Sequence, residues 1–139
     1  MIKKNLTLYE KFYDKRGFMS PLVEKKIISD ENLCIKYSKS NFGVVRGFHW
    51  QRPPYLQEKQ VFVLSGEIMD LICPVVNNQL QIEKIIRNKV NADDNSSIFI
   101  PSNYAHAYKA MSEDTIILYV CNGQYNKEYE LTIKADEYF

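Results

Sequence analysis

The segment Arg46-Gly47-Phe48-His49-Trp50-Gln51, with Lys59 ten residues after the histidine, is the part of this chain best equipped for chemistry. The first of only two histidines stands two residues after a glycine at an inward-facing strand position, and a cation follows at strand spacing. The other, His106, lies in the turn-rich run Ile100-Pro101-Ser102-Asn103-Tyr104-Ala105-His106-Ala107-Tyr108. An imidazole with an ordinary pKa of roughly 6.5 can take a proton at neutral pH. A carbon acid beside a ketone becomes accessible when a preorganised cation meets the enolate oxygen, and Lys59 fits that part. A phenol such as Tyr119 could return a proton from the opposite face, the arrangement that inversion of configuration requires. Metal chemistry fits poorly. Gln51 stands where a second histidine would be expected, and Lys59 would repel a cation at the next ligand position. Neither a metal nor another cofactor is expected.

Short strands must position these groups. Apolar and aromatic residues come in alternating bursts separated by turn signals, the pattern of an all-β sandwich or barrel. The alternation predicts strands at Leu6–Tyr13, Phe18–Val23, Cys34–Ser40, Gly43–Gln51, Lys59–Ser65, Glu67–Ile72, Leu80–Arg87, Ser97–Ile100, Ala105–Ala110 and Thr115–Cys121. Ser65-Gly66 predicts a tight turn. Asn77-Asn78 and Asn91-Ala92-Asp93-Asp94-Asn95 predict turns because such side chains tolerate positive φ and bond their own backbone. A helix fits only around Pro21–Asp30, and Tyr125–Phe139 has room for one more strand. The fold expected is a jelly roll.

Strand parity then sorts the reactive groups. His49 shares a face with Gly47 and Gln51, while Phe48 and Trp50 take the other. Gln57 and Lys59 run in phase with Val61 and Val63, Asp70 with Ile68 and Ile72, and Tyr119 with Ile117 and Cys121. If these faces line one interior, it holds an imidazole, an ammonium, a carboxylate and a phenol among aliphatic groups. Burying that set costs several kcal/mol unless the groups satisfy one another or a ligand. Arg46 is out of phase with His49 and reaches the same interior only if Gly47 marks a bulge.

Composition narrows the partners. A chain of 139 residues has room for one core, and no repeat, low-complexity stretch or linker divides it, so residues 1–139 are expected to form a single domain. A net charge of +1 gives no electrostatic case for nucleic acid or for an anionic membrane. The N-terminus lacks the apolar run of a signal peptide, and no window reaches the length of a transmembrane helix. Cys34, Cys73 and Cys121 are odd in number and show no CxxC spacing, which predicts reduced thiols in a cytoplasmic protein.

These residues resemble the dTDP-4-dehydrorhamnose 3,5-epimerase family, metal-free cupins that act on nucleotide-linked 4-keto-6-deoxy sugars. The resemblance rests on Val45-Arg46-Gly47-Phe48-His49-Trp50-Gln51, Gln57-Glu58-Lys59, Ser65-Gly66-Glu67-Ile68-Met69-Asp70, Ile100-Pro101 with Ala105-His106-Ala107, and Leu118-Tyr119 with Tyr125. Asp14-Lys15-Arg16-Gly17-Phe18 resembles the family's early arginine-glycine-phenylalanine segment. It implies a cupin-type jelly roll in which His49 is the general base, Lys59 stabilises the enolate oxygen and Tyr119 is the general acid. Arg46, Gln57, His106 and Tyr125 would line the substrate pocket. Arg16 would contact nucleotide from a neighbouring subunit of a homodimer built by exchanging N-terminal strands. Asp70 is expected to orient His106, from its apolar strand neighbours. The family pairs its catalytic histidine with an acid near the C-terminus, a region this chain stops short of. Asp136, Glu130 or a residue of another subunit would have to take that place. Pro21 stands where the family carries a glutamate, and both departures favour a single epimerisation, at carbon 3 or carbon 5. The alternatives are a sugar-nucleotide 3,4-ketoisomerase, whose members usually carry a second histidine two residues after the first, and a catalytically inactive sugar-nucleotide-binding domain.

Overall fold

A computed structural model of the chain describes residues 5–22 and 32–139. Its strands are β1 (Leu6–Leu8), β2 (Phe12–Asp14), β3 (Gly17–Met19), β4 (Leu33–Ser40), β5 (Val45–Gln51), β6 (Glu58–Ser65), β7 (Glu67–Val76), β8 (Gln79–Leu80), β9 (Ile86–Asn91), β10 (Ser96–Ile100), β11 (Tyr104–Ala110), β12 (Thr115–Asn122) and β13 (Glu130–Thr132). The described residues form no α-helix, only short 3-10 turns, and no helix is long and apolar enough to cross a membrane.

Two antiparallel sheets face each other. The five-stranded sheet runs β1-β10-β6-β12-β4, and the six-stranded sheet runs β13-β5-β11-β7-β8 with β9 also on β7. Consecutive strands β4 and β5, β6 and β7, and β10 and β11 lie in different sheets, so the chain crosses the sandwich repeatedly. This is the jelly roll expected of the alternation.

The inward faces carry Val61, Val63, Ile68, Ile72, Ile98, Ile100 and Ile117, all buried in one cluster with Tyr108. A second cluster lies on the outer face of the six-stranded sheet. There Phe48, Trp50, Leu71, Ala105 and Ala107 are covered by Ile82, Ile85, Leu131, Tyr138 and Phe139. Each fully buried side chain of this size stabilises by about 1.5–3 kcal/mol. This second cluster makes β5 apolar on one side and leaves the opposite side, with His49, to face the interior.

Several expected boundaries move, for physical reasons. Leu6–Tyr13 is not one strand. β1 pairs with β10, the chain then leaves the sheet, and β2 folds back on β3 as a separate hairpin around Lys15 and Arg16. Phe18–Val23 is likewise cut short at Met19, and Val23 lies outside the described residues. The helix expected around Pro21–Asp30 lies outside them too, apart from Pro21 and Leu22, which belong to no element. Leu80–Arg87 breaks into a 3-10 turn at Ile82–Lys84 and the start of β9. The turn lets Ile82 and Ile85 pack together on the second cluster, which an extended backbone would not do. β7 runs beyond Ile72 to Val76 because Asn77 and Asn78, at φ 50° and 59°, turn the chain back into β8. Asn91 caps the 3-10 turn Ala92–Asp94, bonding the amides of Asp93 and Asp94, and Asn95 takes φ 48°.

Candidate active site

The open cavity between the sheets has a volume of about 220 Å³. His49, Arg46, Gln57, Lys59, His106, Tyr119 and Tyr125 all line it. His49, Arg46 and His106 come from the six-stranded sheet, whereas Lys59 on β6 and Tyr119 on β12 come from the five-stranded one. The base and acid candidates therefore approach the cavity from facing sheets.

A bulge makes this convergence possible on β5. His49 pairs with His106 and Arg46 with Tyr108, so residues 46 to 49 on β5 run beside 106 to 108 on β11. The extra residue flips the alternation and brings Arg46 onto the face of His49. Gly47 sits at φ +97°, and a Cβ there would lie 2.3 Å from the His106 carbonyl oxygen. Only glycine fits that approach.

The edge strand β13 supplies the support for His49. Thr132 pairs with His49 and Glu130 with Gln51, so all four side chains share the inward face. The Nδ1 atom of His49 lies 3.0 Å from Thr132 Oγ1 and 3.1 Å from Glu130 Oε1. The second Glu130 oxygen accepts from the Tyr125 hydroxyl at 2.5 Å. An Nδ1–H held by oxygen acceptors leaves the Nε2 lone pair for proton abstraction. Glu130 is thus the carboxylate beside His49. Asp136, another candidate for that place, lies in the C-terminal 3-10 turn.

Burial favours the neutral form of His49. Burial pushes its pKa below the ordinary value, Glu130 pulls it back, and Lys59, His106 and Lys36 push it down again. Lys59 is also held below the usual lysine range, chiefly by burial, and among the described residues its ammonium makes no ion pair or hydrogen bond. A desolvated cation without a partner is preorganised for an oxyanion. Burial likewise raises the Tyr119 phenol and the neighbouring Cys121 thiol. Cys121 is therefore no thiolate nucleophile.

The remaining groups are held by fixed partners. The Gln57 amide donates to the Gly123 carbonyl at 2.8 Å. Gln51 donates to the carbonyls of Tyr55 and Gln124 and accepts from the Asn126 amide, so its side chain pins the loop after β12. Fully buried Asp70 reaches His106 Nε2 with Oδ1 at 2.5 Å, while its Oδ2 has no hydrogen-bond partner among the described residues. Among the described residues, no group of three or more His, Cys, Asp or Glu is disposed to hold a metal ion. Arg16 is not in the cavity. It lies exposed in the β2–β3 hairpin, paired with Asp14.

Lys36, Ser38, Tyr108 and Glu130 also line the cavity. Lys36 lies 5.7 Å from the Tyr119 ring centre and 5.6 Å from that of Tyr125. The strand around it alternates Lys36, Ser38 and Ser40 inward with Ile35 and Tyr37 outward, and those two are 61% and 75% exposed. Hydrophobic patterning would assign the faces the other way round. The polar alternation itself was the available signal.

A jelly roll whose cavity joins an imidazole beside a carboxylate, a half-buried lysine that makes no ion pair or hydrogen bond among the described residues, and a phenol has the groups that moving a proton on and off a carbon requires. The chain belongs to the dTDP-4-dehydrorhamnose 3,5-epimerase family, whose model matches residues 4–138. The dTDP-4-dehydrorhamnose 3,5-epimerase of Shigella flexneri is 29% identical over 125 residues, 86% of this chain and 69% of that protein. The solved Sulfolobus tokodaii enzyme of the same name is 30% identical, with a TM-score of 0.82 over 96% of this chain and 78% of its own. The dTDP-6-deoxy-D-glucose-3,5-epimerase of Legionella pneumophila, solved in complex with dTDP-4-keto-L-rhamnose, is 25% identical with a TM-score of 0.82. That match covers 94% of this chain and 72% of the Legionella chain.

Proposed function

We propose that the protein epimerises a dTDP-linked 4-keto-6-deoxy sugar at carbon 3, carbon 5 or both. The observation that carries this reading is the convergence of His49, Lys59 and Tyr119 on one cavity from facing sheets. Neutral His49 takes the proton α to the ketone through Nε2, and Glu130 and Thr132 hold the imidazole as it becomes charged. The developing enolate oxygen meets the Lys59 ammonium, which costs little reorganisation because that ammonium has no other partner among the described residues. Tyr119 returns a proton to the opposite face, and the C–H bond formed there is inverted.

Arg46, Gln57, His106 and Tyr125 line the sugar pocket, with Asp70 orienting His106. The cations Lys36, Arg46 and Lys59 outnumber the one carboxylate lining it, Glu130, which suits a substrate bearing phosphates. We place the enzyme in the cytoplasm as a single-domain homodimer that uses no cofactor. The exposed Phe12, Tyr13 and Phe18 of the β2–β3 hairpin suit a neighbouring subunit, to which the same hairpin would carry Arg16.

The test is direct. The protein is incubated with dTDP-4-keto-6-deoxyglucose in heavy water, and carbons 3 and 5 are followed by NMR. Deuterium with inversion at either carbon is the expected result. Measurable binding with exchange at neither would leave only an inactive sugar-nucleotide-binding domain, and a 3-keto product would mark a ketoisomerase.

A further inference from the structure

Tyr119 does not stand alone in the cavity wall. Its hydroxyl lies 3.3 Å from Ser38 Oγ, and Ser38 Oγ lies 3.0 Å from the hydroxyl of Tyr108. Tyr108 in turn lies 3.0 Å from Ser40 Oγ, which accepts from Arg46 Nε at 2.9 Å. Strands β4, β5, β11 and β12 thus contribute to one unbroken run of hydroxyls ending at a guanidinium. Tyr108 and Ser40 are 1% and 2% exposed, so water does not interrupt it there.

The run has a direction, because its two ends differ chemically. A guanidinium only donates, whereas each hydroxyl donates one proton and accepts others. Arg46 therefore fills an acceptor site on Ser40, and the buried Ser40 proton must find an acceptor, which the Tyr108 oxygen provides. The Tyr108 proton then goes to Ser38 and the Ser38 proton to Tyr119. The Tyr119 oxygen receives a hydrogen bond from behind, and its own proton is left to point into the cavity.

We propose that Arg46, Ser40, Tyr108 and Ser38 are positioning residues that aim the Tyr119 proton at the substrate carbon. Ser38, which already donates to the Tyr119 oxygen, and the Arg46 charge favour the phenolate left once that proton is given, against the burial and the Tyr108 hydroxyl that disfavour it. Charge balance is simple. The C–H bond on the Tyr119 face forms as the phenol O–H breaks, Tyr119 regains a proton from solvent, and His49 releases one to solvent. Arg46 consequently acts on the acid of the reaction even though it lies on the strand of the base.

The inference rests on the epimerase reading above and is tested by what separates the two faces. Tyr108→Phe removes one oxygen and keeps the ring. Ser38 then loses its donor, becomes an open acceptor, and turns the Tyr119 proton back on itself. His49 still removes and returns protons on its own face, so solvent deuterium still enters the carbon, but without inversion. The expected result in heavy water is a fall in inversion of about tenfold or more, with exchange within about twofold of wild type and KM little changed. Ser38→Ala, at a half-buried site with little packing to lose, is expected to show the same split. A general loss of folding would instead lower exchange and inversion together. Parallel loss in both variants, or an unchanged ratio of exchange to inversion, overturns the inference. Wild-type protein that neither exchanges nor inverts would overturn the proposed reaction itself, and the hydroxyl chain would fall with it.

Discussion

Replacing Glu130 with glutamine should lower the His49 pKa and carry the acid limb of the rate profile with it. The carboxylate lies 3.1 Å from Nδ1, and the two side chains are 41% and 24% exposed. At that distance a unit charge pair interacts by about 1.3 kcal/mol in bulk water and about 5 kcal/mol at an effective dielectric of 20. The exposure of His49 puts the pair toward the aqueous limit, and the carboxylate raises the imidazole pKa against the burial that lowers it. Glutamine keeps an oxygen that can accept from Nδ1 and removes only the charge. With Glu130 gone as a charge, burial and the cations Lys59 and Lys36 act unopposed and depress His49 further. The base must be neutral to act, so kcat/KM falls as pH drops through the His49 pKa. In Glu130→Gln that fall should begin at lower pH than in the wild type, alongside a loss of plateau rate because the base is weaker. The assay is a pair of measurements on both proteins, the His49 Cε1–H chemical shift against pH by NMR and the pH profile of kcat/KM. An unchanged or raised His49 pKa in the variant would refute the ion-pair reasoning.

Lys59→Met should lower kcat by about 10²–10³ in a steady-state epimerisation assay, the usual loss of one oxyanion donor; an effect confined to KM would assign Lys59 to ground-state binding instead. Burial holds Lys59 below its ordinary value of 10.5, and its charge is needed, so kcat should decline on the alkaline side below that pH. A profile flat to pH 10.5 would contradict this. Gly47→Ala should destabilise the fold by about 2–4 kcal/mol in urea titration, because the new methyl meets the His106 carbonyl oxygen and the backbone is held at positive φ. A change below about 0.5 kcal/mol would mean that the bulge relaxes freely. Asp70→Ala should cost about 3–5 kcal/mol by the same titration, since it strips the partner from buried His106; a neutral result would show that the pair contributes little.

Period-two alternation makes most of the two-sheet sandwich legible in the sequence. β5, β6 and β12 have the faces that parity assigns them, with Val61, Val63 and Ile117 in the interior cluster and Phe48 and Trp50 in the outer one. Alternation fails where a strand is polar on its inward side. On β4 the apolar Ile35 and Tyr37 face out, and Lys36, Ser38 and Ser40 line or approach the cavity. It fails also at the bulge, since simple parity separates Arg46 from His49 and only the glycine between them hints that the count slips. Glu130 was one of three candidates to support His49. The choice among them depends on where β13 pairs along β5, which is set by a register some 80 residues apart in the chain rather than by local pattern. The hydroxyl chain behind Tyr119 joins four strands and leaves no trace in the spacing of its members.

The most direct test of the central claim, that His49 is the base in a cavity shared with Lys59 and Tyr119, compares wild-type protein with His49→Asn in heavy water. Both are incubated with dTDP-4-keto-6-deoxyglucose, and deuterium incorporation at carbons 3 and 5 is followed by NMR beside calorimetric titration with dTDP. The expected result is incorporation by the wild type, loss of about 10²-fold or more in the variant, and dTDP binding retained by both. Undiminished incorporation by His49→Asn would contradict the account and move the base elsewhere in the cavity.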